Sequence, residues 1–180
     1  SGGLLKYGAT NAIPVLSAVS VLAGGVLDIN GGSATVTFAS LAGDSATQGG
    51  LVTTSATTGT TTLNIGNASN TLFGGAITNN IGSTLNFVKQ GSGTLTLGGP
   101  NSYTGTTLVS NGTLEITGRS SGTTSVTVSA GGTLLLNSAS NNIVGVVRAN
   151  ANPALVTSST AFIGNGGTLA VDNSQTDVTN

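Results

Sequence analysis

The sequence predicts an all-β fold, a right-handed parallel β-helix (a β-solenoid) with coils of about 20 residues. Three observations lead there. A short apolar phrase with period-two alternation keeps returning. Its leucines at positions 95, 114 and 134 recur at nearly even steps, each close to one coil. Gly and Asn pairs stand between the copies, where a coil needs tight corners. The handedness follows the general preference of parallel crossovers, and the whole of 1–180 reads as one β-helical segment.

The phrase occurs as Gly25-Val26-Leu27-Asp28-Ile29, Thr62-Leu63-Asn64-Ile65, Ser83-Thr84-Leu85-Asn86-Phe87 and Gly93-Thr94-Leu95-Thr96-Leu97. It returns as Gly112-Thr113-Leu114-Glu115-Ile116, Gly132-Thr133-Leu134-Leu135-Leu136 and Gly167-Thr168-Leu169-Ala170-Val171. Leu and the next-but-one apolar residue face one side and the residue between them faces the other. The expected inward set is therefore Leu27, Ile29, Val36, Phe38, Leu63, Ile65, Leu85, Phe87, Leu95, Leu97, Leu114, Ile116, Leu134, Leu136, Leu169 and Val171.

Second strands are expected over 19–22, 35–38, 71–77, 106–109, 125–128 and 143–147. Corners are expected at Asn30-Gly31-Gly32, Asn79-Asn80, Asn111-Gly112, Gly131-Gly132 and Asn165-Gly166-Gly167. The step from Leu63 to Leu85 is slightly longer than the others. The step from Leu134 to Leu169 leaves room for one irregular coil or two short ones. About eight or nine coils stacked at about 4.8 Å would give a rod on the order of 40 Å long. A β-sandwich shares the raw strand signal, but near-identical phrases with equivalent corners favour stacking.

Composition excludes several classes. Lys6, Lys89, Arg119 and Arg148 are the only basic side chains and the formal net charge is -1, so nothing offers a footprint for nucleic acid. No window is apolar enough for a transmembrane helix, since Pro14, Ser17, Ser20 and Gly24-Gly25 break the most apolar stretch. Pro is only 3 residues and the apolar residues alternate, which argues against disorder, and Gly has no period of three, which excludes collagen. There is no Cys, so no disulfide supports the fold. No signal peptide is visible, and the opening Ser1-Gly2-Gly3 without an initiator Met suits a slice of a longer protein.

The contiguous residues from Lys89-Gln90-Gly91-Ser92-Gly93-Thr94-Leu95-Thr96-Leu97 through Asn101-Ser102-Tyr103-Thr104-Gly105-Thr106-Thr107 to Gly112-Thr113-Leu114-Glu115-Ile116 carry a specific pattern. This segment closely resembles the autotransporter-associated β-strand repeat, also called the passenger-associated transport repeat. Weaker echoes run over 19–31 and 126–134. The resemblance implies a β-helical passenger of a large Gram-negative surface protein, secreted through a C-terminal outer-membrane barrel. It also implies a repeat that assists passenger folding and transport. On that basis the chain is expected to be an extracellular stalk or adhesin-related passenger segment associated with the outer membrane, part of something longer. Expected partners are a host or matrix surface, or further copies end to end. The alternative is a self-associating subunit of a surface filament or sheath.

Individual residues support a mechanical reading. Tyr103 is expected to pack over a coil corner, because a sugar platform would want aromatic neighbours and the only other Tyr is Tyr7. Lys89 and Glu115 are expected to form an ion pair or a solvated face. Gly93, Gly105 and Gly112 read as corners or sites of close backbone approach. Asn30, Asn64, Asn79, Asn101, Asn111, Asn137 and Asn165 are candidates for ladders in which each Asn bonds its counterpart one coil away.

Without His or Cys, catalysis would need clustered carboxylates, and Asp28, Asp44, Glu115, Asp172 and Asp177 are scattered. No catalytic, cofactor-binding or metal-binding residues are assigned, no cofactor is expected, and the chain is not expected to be an enzyme. Alternate threonines at Thr35/Thr37, Thr60/Thr62 and Thr94/Thr96 would suit an ice- or glycan-binding plane. The varied outward partners Asp28, Asn64, Asn86, Thr96 and Glu115 argue against a regular one. Open coil ends would present unpaired β edges suited to self-association.

Overall fold

The computed structural model describes residues 2–8, 12–30 and 33–136 and the strands at 160–163 and 168–171. Seventeen strands follow in chain order, and no helix occurs among the described residues. They are β1 (Leu4–Lys6), β2 (Ala18–Ser20), β3 (Val26–Asp28), β4 (Thr35–Phe38), β5 (Ser40–Ala42), β6 (Leu51–Thr53) and β7 (Thr60–Ile65). Next come β8 (Thr71–Phe73), β9 (Ala76–Ile77), β10 (Thr84–Lys89), β11 (Thr94–Leu97) and β12 (Thr106–Val109). The last are β13 (Gly112–Ile116), β14 (Ser125–Val128), β15 (Gly132–Leu136), β16 (Thr160–Ile163) and β17 (Thr168–Val171).

Every strand pairing is parallel. The first face is the sheet β1-β3-β6-β9, the second β4-β7-β10-β12-β14-β16 and the third β8-β11-β13-β15-β17. β2 and β5 form a separate pair, and Gly43 N, just past β5, donates to Leu72 O of β8 at 2.9 Å. The chain visits the faces in rotation, which makes it a parallel β-solenoid of about six turns. At about 4.8 Å per turn the stack is about 30 Å long, shorter than the rod the phrase count implies.

The phrase copies explain the difference. They do not form one ladder. Val26–Asp28 lies on the first face, Thr60–Ile65 and Thr84–Lys89 on the second, and the copies from Thr94 onward on the third. One turn can therefore hold two copies. Turn length also varies with the corners: the turn that pairs Leu51 with Ala76 is longer than the one that pairs Leu95 with Leu114. Leu134 pairs directly with Leu169, so these two phrase copies are neighbours on the third face. The expected 71–77 strand is broken into β8 and β9 by Gly74-Gly75. The expected strand at 143–147, Asn137 and the corner at 165–167 lie outside the described residues, as do Gly31 and Gly32.

Inner columns run along the axis because the registers keep like faces together. Leu27, Val52 and Ile77 stack on the first face, Leu63, Phe87, Thr107 and Val126 on the second, and Leu95, Leu114 and Leu134 on the third. Of the expected inward set, all members from Leu27 to Leu134 are buried, Leu136 is half-buried, and the side chains of Leu169 and Val171 lie outside the described residues. Burying one such aliphatic side chain contributes about 1.5–3 kcal/mol. Tyr7, Leu41, Val52, Phe73, Ile77 and Tyr103 join this core although the alternation does not single them out.

The corners are as constraining as the core. A Cβ on Gly93 would stand 2.2 Å from Ser69 O, and one on Gly105 would stand 2.3 Å from Leu85 O. Both contacts are to the backbone of the preceding turn, so no side chain can move aside. Gly112 has φ +66°, where a side chain is strained in any case. Gly105→Ala is expected to lower stability by more than about 2 kcal/mol, whereas Gly3→Ala, with open space around it, stays within about 0.5 kcal/mol. Urea denaturation of the two variants checks this; equal midpoints would contradict it.

The polar clamp as candidate functional site

In β10 the inward positions are Leu85, Phe87 and Lys89, so strand parity sends a lysine into the core. Lys89 sits in the inner column between Ile65 and Val109 and is 1% exposed. Its ammonium donates to Gln90 O at 2.9 Å, Gly91 O at 2.8 Å and Asn111 O at 3.2 Å. All three donors are used, two on the corner of its own turn and one on the corner of the next. Burial pushes its pKa down, while the three carbonyl dipoles favour the charged form. The expected ion pair with Glu115 does not form, because Lys89 points into the core while Glu115 lies on the outward side of β13. Glu115 Oε2 accepts a 2.7 Å hydrogen bond from Thr96 Oγ1 one turn away on the third face.

Tyr103 lies inside the corner and not over it, 1% exposed, with its ring centroid 5.8 Å from that of Phe87. Its hydroxyl meets Thr107 Oγ1 at 2.7 Å, and Thr107 Oγ1 meets Thr123 Oγ1 at 3.1 Å. Thr123 Oγ1 also donates to Gly105 O at 3.0 Å. This chain of hydroxyls crosses two successive turns inside an otherwise aliphatic core. Burial pushes the Tyr103 pKa up, against a smaller lowering by its hydrogen bonds to Thr107 and Ser120, so the phenol stays neutral. Sequence reasoning missed this network, although Thr107 shares the parity of the buried Val109 in β12 and is thereby placed inward.

Asparagines tie adjacent turns, but through backbone and threonine instead of through one another. Asn101 Oδ1 accepts from Ile77 N at 3.1 Å, and its amide donates to Gly99 O at 2.9 Å. Asn79 Oδ1 accepts from Thr104 N at 2.8 Å, Asn86 Oδ1 from Thr106 N at 2.9 Å, and Asn70 Oδ1 from Thr94 N at 2.8 Å. Asn64 Nδ2 donates to Thr37 Oγ1 at 3.4 Å, Asn111 caps its own neighbour, and Asn30 donates to Tyr7 O at 3.5 Å. No Asn–Asn rung occurs among the described residues. An acceptor facing a backbone N–H one turn away satisfies the corner directly, which an amide-to-amide rung would not.

The acidic groups are dispersed. Asp28 Oδ1 accepts from Ser55 N at 2.9 Å and Asn30 N at 3.0 Å, and Oδ2 lies 3.6 Å from Lys6 Nζ. Burial would raise its pKa, but the hydrogen bonds from Ser55 and Asn30 and the charge of Lys6 hold it below the usual carboxylate range. Asp44 accepts from Ala23 N, and Asp172 and Asp177 lie outside the described residues. No group of three potential metal ligands gathers among the described residues.

Sorting the threonines by face alters their pattern. Thr35, Thr62, Asn86, Thr106 and Ser125 share one outward column of the second face, while Thr37, Asn64, Val88, Leu108 and Thr127 form the next. Thr94 and Thr96 lie on the third face. The irregularity of the outward partners is a mixture of three faces, yet the second column remains mixed.

Fold and site together define a β-solenoid repeat protein, in which polar side chains bind one turn to the next. Residues 87–116 match the passenger-associated transport repeat. The match covers the β10–β13 turn and with it Lys89, Asn101, Tyr103, Thr107 and the glycines Gly93, Gly105 and Gly112. No curated protein and no solved structure matches the chain.

Lys89→Met keeps most of the stem but strands three carbonyls. It is expected to cost about 2 kcal/mol or more, read as a lower urea midpoint at unchanged m. Wild-type stability in this variant would show that the ammonium contributes nothing.

Proposed function

We propose that this chain is a structural rod segment, a stalk or passenger portion of a bacterial surface protein of the autotransporter type. It would stand outside a Gram-negative outer membrane and hold an adhesive or other effector region toward a host or matrix surface. The observation that carries this reading is the placement of the repeat match on a turn whose polar groups are turned inward. Lys89, Tyr103, Thr107 and Asn101 are all spent on bonds within and between turns, as a mechanical element requires and a ligand site does not. The role is non-enzymatic: the load is carried by axial hydrogen bonds and dry aliphatic columns. In cells expressing the full-length gene, an antibody to this segment is expected to label the surface of intact cells, and added protease to remove the label. Signal only after lysis would overturn the proposal.

A second reading is end-to-end self-association into a filament or sheath. It is supported by the low charge of the chain, formal net charge -1, and by the unpaired β edges that any open coil end presents. Leu5 stands in the inner column of Leu27, Val52 and Ile77, so a charge there would disturb the stacking of a further coil on β1. Electron microscopy is expected to show filaments whose length grows with concentration and which Leu5→Lys abolishes. Short isolated rods at every concentration would sink this reading and leave the stalk.

A further inference from the structure

We propose that Asn111 is a modification site at which the Asn111-Gly112 corner converts to isoaspartate, with Lys89 directing the product. Asn111 is exposed, and its Oδ1 lies 2.9 Å from Gly112 N. The side-chain carbonyl is thus folded back onto the one nitrogen that can attack it. Asn80 offers an internal comparison: it is also exposed, and its Oδ1 accepts from Ile81 N at the same 2.9 Å. The two corners differ in the residue after the asparagine. The β-branched Ile81 crowds its own nitrogen, whereas Gly112 has no side chain and already holds φ +66°.

The chemistry needs only water. Gly112 N gives up its proton to solvent and attacks Asn111 Cγ. The new N–Cγ bond forms as Cγ–Nδ2 breaks, and the side-chain nitrogen leaves as ammonia, giving a five-membered imide. Water then opens the imide at either carbonyl. Addition at the main-chain carbonyl carbon breaks its bond to Gly112 N and leaves the chain running through Cγ, an isoaspartate; addition at Cγ gives aspartate. Lys89 Nζ donates to Asn111 O, the main-chain oxygen, at 3.2 Å. A cation on that oxygen polarises that carbonyl and stabilises the oxyanion formed there, so water adds on the isoaspartate side.

The same contacts set the rate. Gly112 N–H is also bonded to Gly131 O at 3.0 Å, so attack waits for this corner to open toward the following turn. Lys89 restrains that opening by holding Asn111 O to the corner at Gln90 and Gly91. The product lengthens the main chain by one carbon where a Cβ on Gly112 would already stand 2.4 Å from Gly91 O. The modified corner therefore cannot close as before, and the clamp loses its cross-turn contact.

The test is peptide mapping by mass spectrometry, with fragmentation that separates isoaspartate from aspartate. The intact protein is aged at mildly alkaline pH and physiological temperature. Asn111 is expected to be lost several-fold faster than Asn80 in the same sample, with an isoaspartate-to-aspartate ratio above that of a free peptide spanning residues 108–116. Lys89→Met is expected to speed the loss and bring the ratio down to the peptide's; Lys89→Arg, which keeps the charge and donors, preserves the wild-type ratio. Persistence of Asn111 as long as Asn80 overturns the site. A wild-type ratio equal to the peptide's overturns the role of Lys89, whether or not the Met variant folds.

Discussion

Each turn of this chain has to come down on the previous one at hydrogen-bonding distance around its whole perimeter, and the backbone at the corners is what permits it. Parallel strands about 4.8 Å apart leave no space between corner segments for a side chain. Gly93 over Ser69 O and Gly105 over Leu85 O show how little tolerance remains. Only after the corners have closed do the inner columns meet in register, so that Leu63 lies over Phe87 and Leu95 over Leu114. The hydrophobic core is therefore conditional on glycine placement: a strand one residue out of step would turn its whole apolar set outward.

That geometry also explains why polar residues belong inside. A corner leaves carbonyls that point neither along the axis nor to solvent, and an unpaired buried carbonyl is costly. Lys89 satisfies three with one ammonium, on a stem long enough to pack between Ile65 and Val109. Tyr103, Thr107 and Thr123 act similarly with neutral groups, adding aromatic volume against Phe87. In a low-dielectric interior such a network is strong only while fully paired. It therefore fixes one arrangement of two turns, where aliphatic columns alone would also accept a two-residue slip along the strands.

Much of this is legible in the sequence. Strict alternation in the Leu-led phrases identifies the buried set from Leu27 to Leu134, because period two translates directly into side. Gly-Gly and Asn-Gly steps mark the corners for equally direct steric reasons. The faces are not legible, because Thr-Leu-Asn-Ile on the second face and Thr-Leu-Thr-Leu on the third obey the same pattern. Nothing local says how far around the coil a strand lies. Turn count inherits that ambiguity. Lys89 escapes a first reading because lysine is ordinarily solvated, although counting from Leu85 and Phe87 places it inward. Asparagine ladders are a natural expectation for a repeating coil. Successive corners here differ in length, however, and present a backbone N–H or a threonine where a ladder needs a second asparagine.

A solenoid is held by nearest-neighbour contacts, so a single well-specified turn constrains more than its own length. The turn that matches the transport repeat reaches backward through Asn101 to Ile77 and forward through Thr107 to Thr123. The turns on either side need no copy of the motif to be held in register by it. They need only an inward apolar column and a corner short enough to close. Weak echoes elsewhere in the chain are consistent with that division. Specificity concentrated in one clamp frees its neighbours to vary in length, as the turns joining Leu51 to Ala76 and Leu95 to Leu114 do. The cost is exposure of the register of this turn and its two neighbours to the integrity of one corner, the one at which Lys89, Asn111 and Gly112 meet.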